Sequence, residues 1–309
     1  MMVDFSFLPP VRAVLSDEPT KLRLPGGRDL AFTQWGDGAG FPVFYFHGTP
    51  SSRLEGAFAD AAARRHRFRL VAVDRPGFGQ STFQHHRRFL DWPEDVLALA
   101  DHLKIDRFAV AGHSGAGPHL LACGVCIDPK RLACIGALGP WGPVASADIA
   151  KSLNRLDHAF ANAARQRPWL MRMGFAPMGW AARWWPDLFF GLMKRSVATA
   201  DRRALEDPGF TAIFRSALRE AFRQGSRGAA HEAHLAYTDW GFDIASVRVP
   251  THIWLGDQDV FVSNTMGRYL EQRIPGVDFH WVAAAGHLNV EDWHQIFAAC
   301  RESIGRAAP

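Results

Sequence analysis

The stretch Phe108-Ala109-Val110-Ala111-Gly112-His113-Ser114-Gly115-Ala116-Gly117-Pro118 decides how the rest of this sequence reads. Residues 108–111 are an apolar run of β type, a turn of small residues surrounds Ser114, and a helical pattern follows. A strand, a tight turn tipped by serine and a helix expose the hydroxyl and aim nearby N–H groups at whatever it attacks. Such a turn needs small residues two before and two after the serine, here Gly112 and Ala116, with His113 between. Gly115 opens the helix, and its N–H is one candidate oxyanion donor.

A serine hydroxyl at neutral pH needs a base within hydrogen-bond reach and a third group to orient that base. The reaction also needs donors aimed at the oxyanion. In His47-Gly48-Thr49-Pro50, after the apolar run 42–46, Gly48 lets the backbone turn back and leaves the Thr49 N–H as the second candidate donor. His47 reads as a hydrogen-bonding support of this loop rather than as the base. Leu255-Gly256-Asp257-Gln258-Asp259 offers two aspartates, of which Asp259, further from the strand end, is taken as the orienting acid. Ala285-Gly286-His287 puts an imidazole on a small-residue loop, making His287 the candidate base.

Short apolar runs recur at 42–46, 70–73, 132–138, 251–255 and 279–282, alternating with helical patterns at 54–65, 92–103, 264–273 and 290–305. Two further runs, 21–24 and 29–35, are joined by Pro25-Gly26-Gly27-Arg28 as a hairpin. Buried strands alternating with helices predict an α/β fold, a mostly parallel sheet with helices on both faces. Ligands of such sheets bind beyond the carboxyl ends of the strands, where His47, Ser114, Asp259 and His287 all fall.

Residues 141–240 differ. They are helical, with Ala-rich patterns at 149–165 and 211–224, and hold Trp141, Trp169, Trp180, Trp184, Trp185 and Trp240. Fourteen Lys/Arg face nine Asp/Glu there, so the basic character of the chain resides in this segment. The expected organisation is a core of residues 1–140 and 241–309 carrying a helical cap at 141–240. Trp141, Trp180, Trp184 and Trp185 are candidates for an apolar substrate pocket, although aromatics of this kind also hold a cap together.

The 309 residues, 48% hydrophobic and 21% charged, have the balance of a globular protein. A formal charge of +4 raises nucleic acid as a partner, but Arg64-Arg65-His66-Arg67 and His85-His86-Arg87-Arg88 are short clusters without interleaved aromatics, so none is expected. Cys123, Cys126, Cys134 and Cys300 are too scattered for a disulfide scaffold, and the Cys123/Cys126 pair reads as buried thiols. Pro9-Pro10 interrupts the early apolar residues, so no signal peptide is read, and no membrane span is found. A cytoplasmic protein with no metal and no cofactor is expected; monomer and dimer stay open.

The sequence resembles the α/β-hydrolase superfamily, in its capped branch with an HGxP-type oxyanion loop. The matching residues are His47-Gly48-Thr49-Pro50, Asp74-Arg75-Pro76-Gly77-Phe78-Gly79-Gln80-Ser81, Gly112-His113-Ser114-Gly115-Ala116-Gly117, Gly256-x-x-Asp259 and Gly286-His287, in that order. The resemblance implies an eight-stranded sheet, a Ser114–His287–Asp259 triad and a lid between strands six and seven. Ala116 departs from the usual glycine, and a proline that relatives often carry after the acid is missing from Asp259-Val-Phe-Val-Ser263. Serine at 114 argues against the aspartate-based epoxide hydrolases and dehalogenases of the superfamily. The expectation is a serine carboxylesterase acting on a small to medium hydrophobic ester. Alternatives are a C–C bond hydrolase of β-diketone-like substrates, a proline iminopeptidase-like peptidase and, in another class, a hydrolase-fold small-molecule receptor.

Overall fold

The computed structural model describes residues 5–15, 18–151, 153, 155–167 and 169–306. The apolar runs form one eight-stranded sheet: β1 (Thr20–Arg23), β2 (Asp29–Gly36), β3 (Phe41–Phe46), β4 (Phe68–Val73), β5 (Phe108–His113), β6 (Leu132–Leu138), β7 (Thr251–Gly256) and β8 (Asp278–Val282). Their order is β1-β2-β4-β3-β5-β6-β7-β8. β2 pairs antiparallel with β1 and with β4, whereas all pairings from β4 to β8 are parallel. The first hairpin closes where Leu24 N donates to Arg28 O (2.8 Å).

Period-two alternation sorts each central strand between two apolar layers. Val43, Tyr45, Leu70 and Ala72 pack on one side with Ala62, Ala63, Trp293 and Phe297. Phe44, Phe46, Val71 and Val73 pack on the other with Val96, Leu99, Leu120 and Leu121. Helices Asp60–Arg65 and Trp293–Arg306 cover the first face, and Trp92–His102 and Gly117–Cys126 the second. These central strands are therefore apolar on both faces, as a parallel sheet requires.

Between β6 and β7 run the helices Ala147–Ala150, Arg155–Gln166, Trp169–Trp184, Pro186–Ser196, Thr199–Glu206, Pro208–Ala221 and Arg227–Tyr237. The helix expected over 149–165 is thus two, and positions 152 and 154 lie outside the described residues. The helix expected at 211 starts earlier because Pro208 suits a first turn and the Asp207 carboxylate accepts from Phe210 N (2.7 Å). Phe210 stacks on Phe58 of the core (centroids 4.5 Å apart), so this part of the insertion shares the main apolar layer. Of the cysteine pair expected to be buried, Cys123 is buried but Cys126 is exposed; all four cysteines are free thiols. No helix among the described residues is long and apolar enough to cross a membrane.

Candidate active site

β5 delivers Ser114 at φ +55°, in the left-handed region that residues with a Cβ rarely occupy. The surrounding structure imposes that conformation. A Cβ on Gly112 would lie 2.6 Å from Phe46 O and 2.7 Å from the Ala116 methyl. The bare glycine is needed at 112, and its absence of side chain makes the room that the extra methyl at 116 fills. Trp141 N donates to Ser114 O (2.9 Å), which ties the start of the insertion to the elbow.

The loops after β7 and β8 bring the candidate acid and base together. Asp259 Oδ2 lies 2.6 Å from His287 Nδ1, and both side chains are buried. The other carboxylate oxygen, Oδ1, accepts from Phe261 N (2.8 Å) and Val262 N (2.9 Å), so two backbone amides fix Asp259 in place in a loop without proline. Asp257 is instead exposed and accepts from Ala284 N (2.8 Å), holding the neighbouring turn. Burial disfavours the His287 cation, but the Asp259 charge and hydrogen bond, with help from Asp201, outweigh it and raise the pKa above the usual histidine value. Next to Ser114, His113 Nε2 donates to the His287 carbonyl (3.0 Å) and its ring lies 4.7 Å from that of His287. The elbow and the histidine loop are thereby fastened to each other.

The loop after β3 closes the arrangement. A Cβ on Gly48 would lie 3.4 Å from the Ser114 Cβ, and one on Gly115 would lie 3.1 Å from Thr49 N. Thr49 and Gly115 therefore stand side by side, and among the described residues the Thr49 amide has no protein acceptor. His47 Nδ1 donates to Gly48 O (2.7 Å) while its Nε2 accepts from Arg75 N (3.2 Å). Burial and the Arg75 charge push its pKa down to about 3, so His47 is a neutral support of the loop. Glu55 accepts from Gly48 N (2.9 Å) and from the Tyr45 hydroxyl (3.1 Å). Burial opposes its ionisation, yet the contact with His113 leads the groups that hold its pKa at about 2.

Two carboxylates of the insertion reach into this site, and nothing in the sequence pointed to either. Asp201, 2% exposed on helix Thr199–Glu206, accepts from His287 N (3.0 Å) and Leu288 N (2.7 Å). A Cβ at residue 286 would lie 2.3 Å from an Asp201 oxygen, which is why Gly286 precedes the histidine. Glu232, 1% exposed on helix Arg227–Tyr237, accepts from the Thr49 hydroxyl and from Arg75, and pairs with Arg87 (2.8 Å). Arg75 in turn donates to the carbonyls of His47 and Gly48. Against the cost of burial, Arg75, His119 and Arg87 hold the Glu232 pKa well below the ordinary carboxylate value. The Asp74 carboxylate is likewise structural. It binds Arg53 N (2.7 Å), the Arg53 guanidinium (2.9 Å) and Gln80 N (3.0 Å), and Gly79 at φ +48° leaves it room.

Of the tryptophans expected to line a pocket, Trp141 alone is joined to the elbow, and its ring packs on Tyr237. Trp180, Trp184 and Trp185 stand open to solvent on the insertion, with 51%, 61% and 53% of their surface exposed. An apolar group beside His287 that no sequence motif marks is Phe261, whose ring lies 5.0 Å from that of His287.

Residues 42–292 match the family model of the alpha/beta hydrolase fold. Over 131 residues the chain is 34% identical to the dihydrolipoyllysine-residue acetyltransferase component of the acetoin cleaving system of Pseudomonas putida, a match covering 42% of this chain and 33% of that one. The chain thus spans about a third of the length of that relative. Among solved structures, an esterase from Exiguobacterium antarcticum superposes with a TM-score of 0.69 at 16% identity, over 92% of this chain and 100% of that one. A thermophilic esterase from Thermogutta terrifontis gives 0.66 at 19%, over 94% and 99%. At such identities the superpositions speak for the fold, and the family match agrees with them. The chain belongs to the alpha/beta hydrolase fold family.

Proposed function

We propose that this protein is a serine hydrolase that cleaves small to medium hydrophobic carboxylic esters through an acyl-enzyme. The observation that carries the reading is the buried His287–Asp259 pair, hydrogen-bonded at 2.6 Å and fastened to an elbow that holds Ser114 at φ +55°. His287 takes the Ser114 hydroxyl proton as Oγ bonds to the ester carbonyl carbon, and the Thr49 and Gly115 amides receive the oxyanion. The protonated imidazole then gives its proton to the departing alcohol as the C–O bond breaks. Water repeats the sequence, its proton passing to His287 as it attacks the acyl carbon, and Ser114 leaves with that proton. Asp259 orients the imidazole and stabilises its cation throughout. Each oxyanion donor contributes about 10²–10³ in rate. Residues 141–240 act as the lid, with Asp201 and Glu232 as its points of attachment.

Hydrophobic substrates are favoured because the Phe261 ring flanks His287. Short p-nitrophenyl esters and a fluorophosphonate probe, applied to the wild type and to Ser114→Ala, test the reading. Labelling at Ser114 and loss of turnover by a factor of about 10⁴ or more in the variant are expected. Unlabelled Ser114, or hydrolysis that survives its removal, sinks the proposal. A lactone, thioester and diketone panel on the same pair of proteins separates the ester from the alternative bonds.

A further inference from the structure

Seven of the nine large hydrophobic side chains that stand exposed among the described residues lie between positions 169 and 192. On helix Trp169–Trp184 they are Trp169, Met173, Trp180 and Trp184, spaced by four, seven and four residues, which places them on one stripe. Leu188 and Leu192 repeat the spacing on helix Pro186–Ser196. The Trp180 and Trp185 rings meet at 4.4 Å, joining the two stripes into one face. Solvent-facing helix surfaces are ordinarily polar, and an apolar face this aromatic marks a contact surface.

Charge selects what that surface meets. Between Asp157 and Asp201 the chain carries six basic residues against a single acid, Asp187, and Asp187 pairs with Arg215 (2.5 Å). Arg172, Arg183 and Arg195 are exposed on the same two helices, and among the described residues none of them pairs with a carboxylate. A second copy docking through this face would set these cations against their own kind. An anionic surface would be attracted. At the Trp169 end, a cavity of about 190 Å³ is lined by Trp169, Arg172, Arg227, His231 and His234, with no carboxylate in its wall. It offers guanidinium donors to an anionic headgroup.

We infer that the helical hairpin 169–196 is a docking face for an anionic lipid surface. The tryptophans, Met173, Leu188 and Leu192 enter the boundary between headgroups and acyl chains, and the arginines rest among the phosphates. The face would seat the protein on a bilayer without crossing it. The inference is independent of the proposed hydrolysis and is read without it.

The test is co-sedimentation with vesicles of phosphatidylcholine alone and of phosphatidylcholine with phosphatidylglycerol. Binding to the anionic vesicles is expected to exceed binding to the neutral ones by about tenfold and to fall in about 0.5 M NaCl. Two double variants, Trp169→Gln with Leu192→Gln and Arg172→Glu with Arg183→Glu, should each weaken it by about tenfold. Their thermal melts, followed by circular dichroism, establish that both are folded. Failure to bind either vesicle, or binding that ignores both variants, overturns the inference. So does a sedimentation-velocity dimer in the wild type that the tryptophan–leucine variant dissociates, since a second copy would then occupy the face.

Discussion

The insertion between β6 and β7 contains two kinds of helix. Thr199–Glu206 and Arg227–Tyr237 send Asp201 and Glu232 into the protein, where they are 2% and 1% exposed. Trp169–Trp184 and Pro186–Ser196 turn tryptophan and leucine outward. Charged residues inside and aromatic ones outside reverse the usual sorting. The difference teaches that a side chain's place follows from the partners it meets. A buried carboxylate is tolerable where donors surround it: two backbone amides for Asp201, two guanidiniums and a hydroxyl for Glu232. The outward aromatics meet chiefly one another, with Arg183 lying over the Trp184 ring.

The largest effect should come from the core side of the histidine, against which the insertion's contribution can be scaled. Asp259→Asn should lower kcat for a p-nitrophenyl ester by about 10⁴, because the imidazole loses its orienting acceptor and its preferred tautomer. Asp257→Asn, altering only a turn contact to Ala284 N, should stay within a few-fold of wild type. If the two variants exchanged phenotypes, Asp257 would be the acid and the comparison would lose its reference.

Glu232 tests the docked half of the insertion. Glu232→Ala leaves Arg75 and Arg87 buried without their carboxylate and should cost about 3–5 kcal/mol of stability in urea unfolding. The folded pKa of Glu232 lies well below the ordinary glutamate range, so the cluster's contribution is fully present above that range and is lost as pH falls from it toward the depressed folded value. The variant should accordingly show a weaker acid dependence than the wild type. Equal stability of the two proteins at neutral pH would mean that Glu232 does not fasten the insertion to the oxyanion loop.

Much of the framework was legible because it depends on local chemistry. Strands such as 42–46 and 132–138 announce themselves by apolar runs, and the elbow by the small residues around Ser114. The relation of Asp259 to His287 followed from chain order and the position past each strand. The rest depends on long-range pairing that leaves no local trace. Glu232 sits in an ordinary-looking helix with His231 and His234 around it, and its partners Arg75 and Arg87 lie 157 and 145 positions away. Asp201 meets amides 86 and 87 positions away. Trp180, Trp184 and Trp185 stand open to solvent for a related reason: size and hydrophobicity favour cover, but composition does not say which face of a helix is covered.

The smallest effect, and the sharpest on how the insertion bears on the chemistry, concerns Asp201. Asp201→Asn keeps one acceptor oxygen but sets an amide against the second of the two N–H groups, loosening the His287 loop. A loss of about tenfold in kcat at high pH is expected from the misplacement. The charge matters separately. The His287 pKa is raised above 6.5, partly by Asp201, and the base must be neutral, so activity is lost as pH falls through that raised value. Removing the Asp201 charge moves the midpoint of kcat down, and the variant should keep a larger share of its own maximum in mild acid than the wild type does. A loop disturbed only mechanically would lower kcat without moving the midpoint. That outcome would reduce Asp201 to a fastening point, whereas a downward shift makes the insertion a part of the electrostatics of the base.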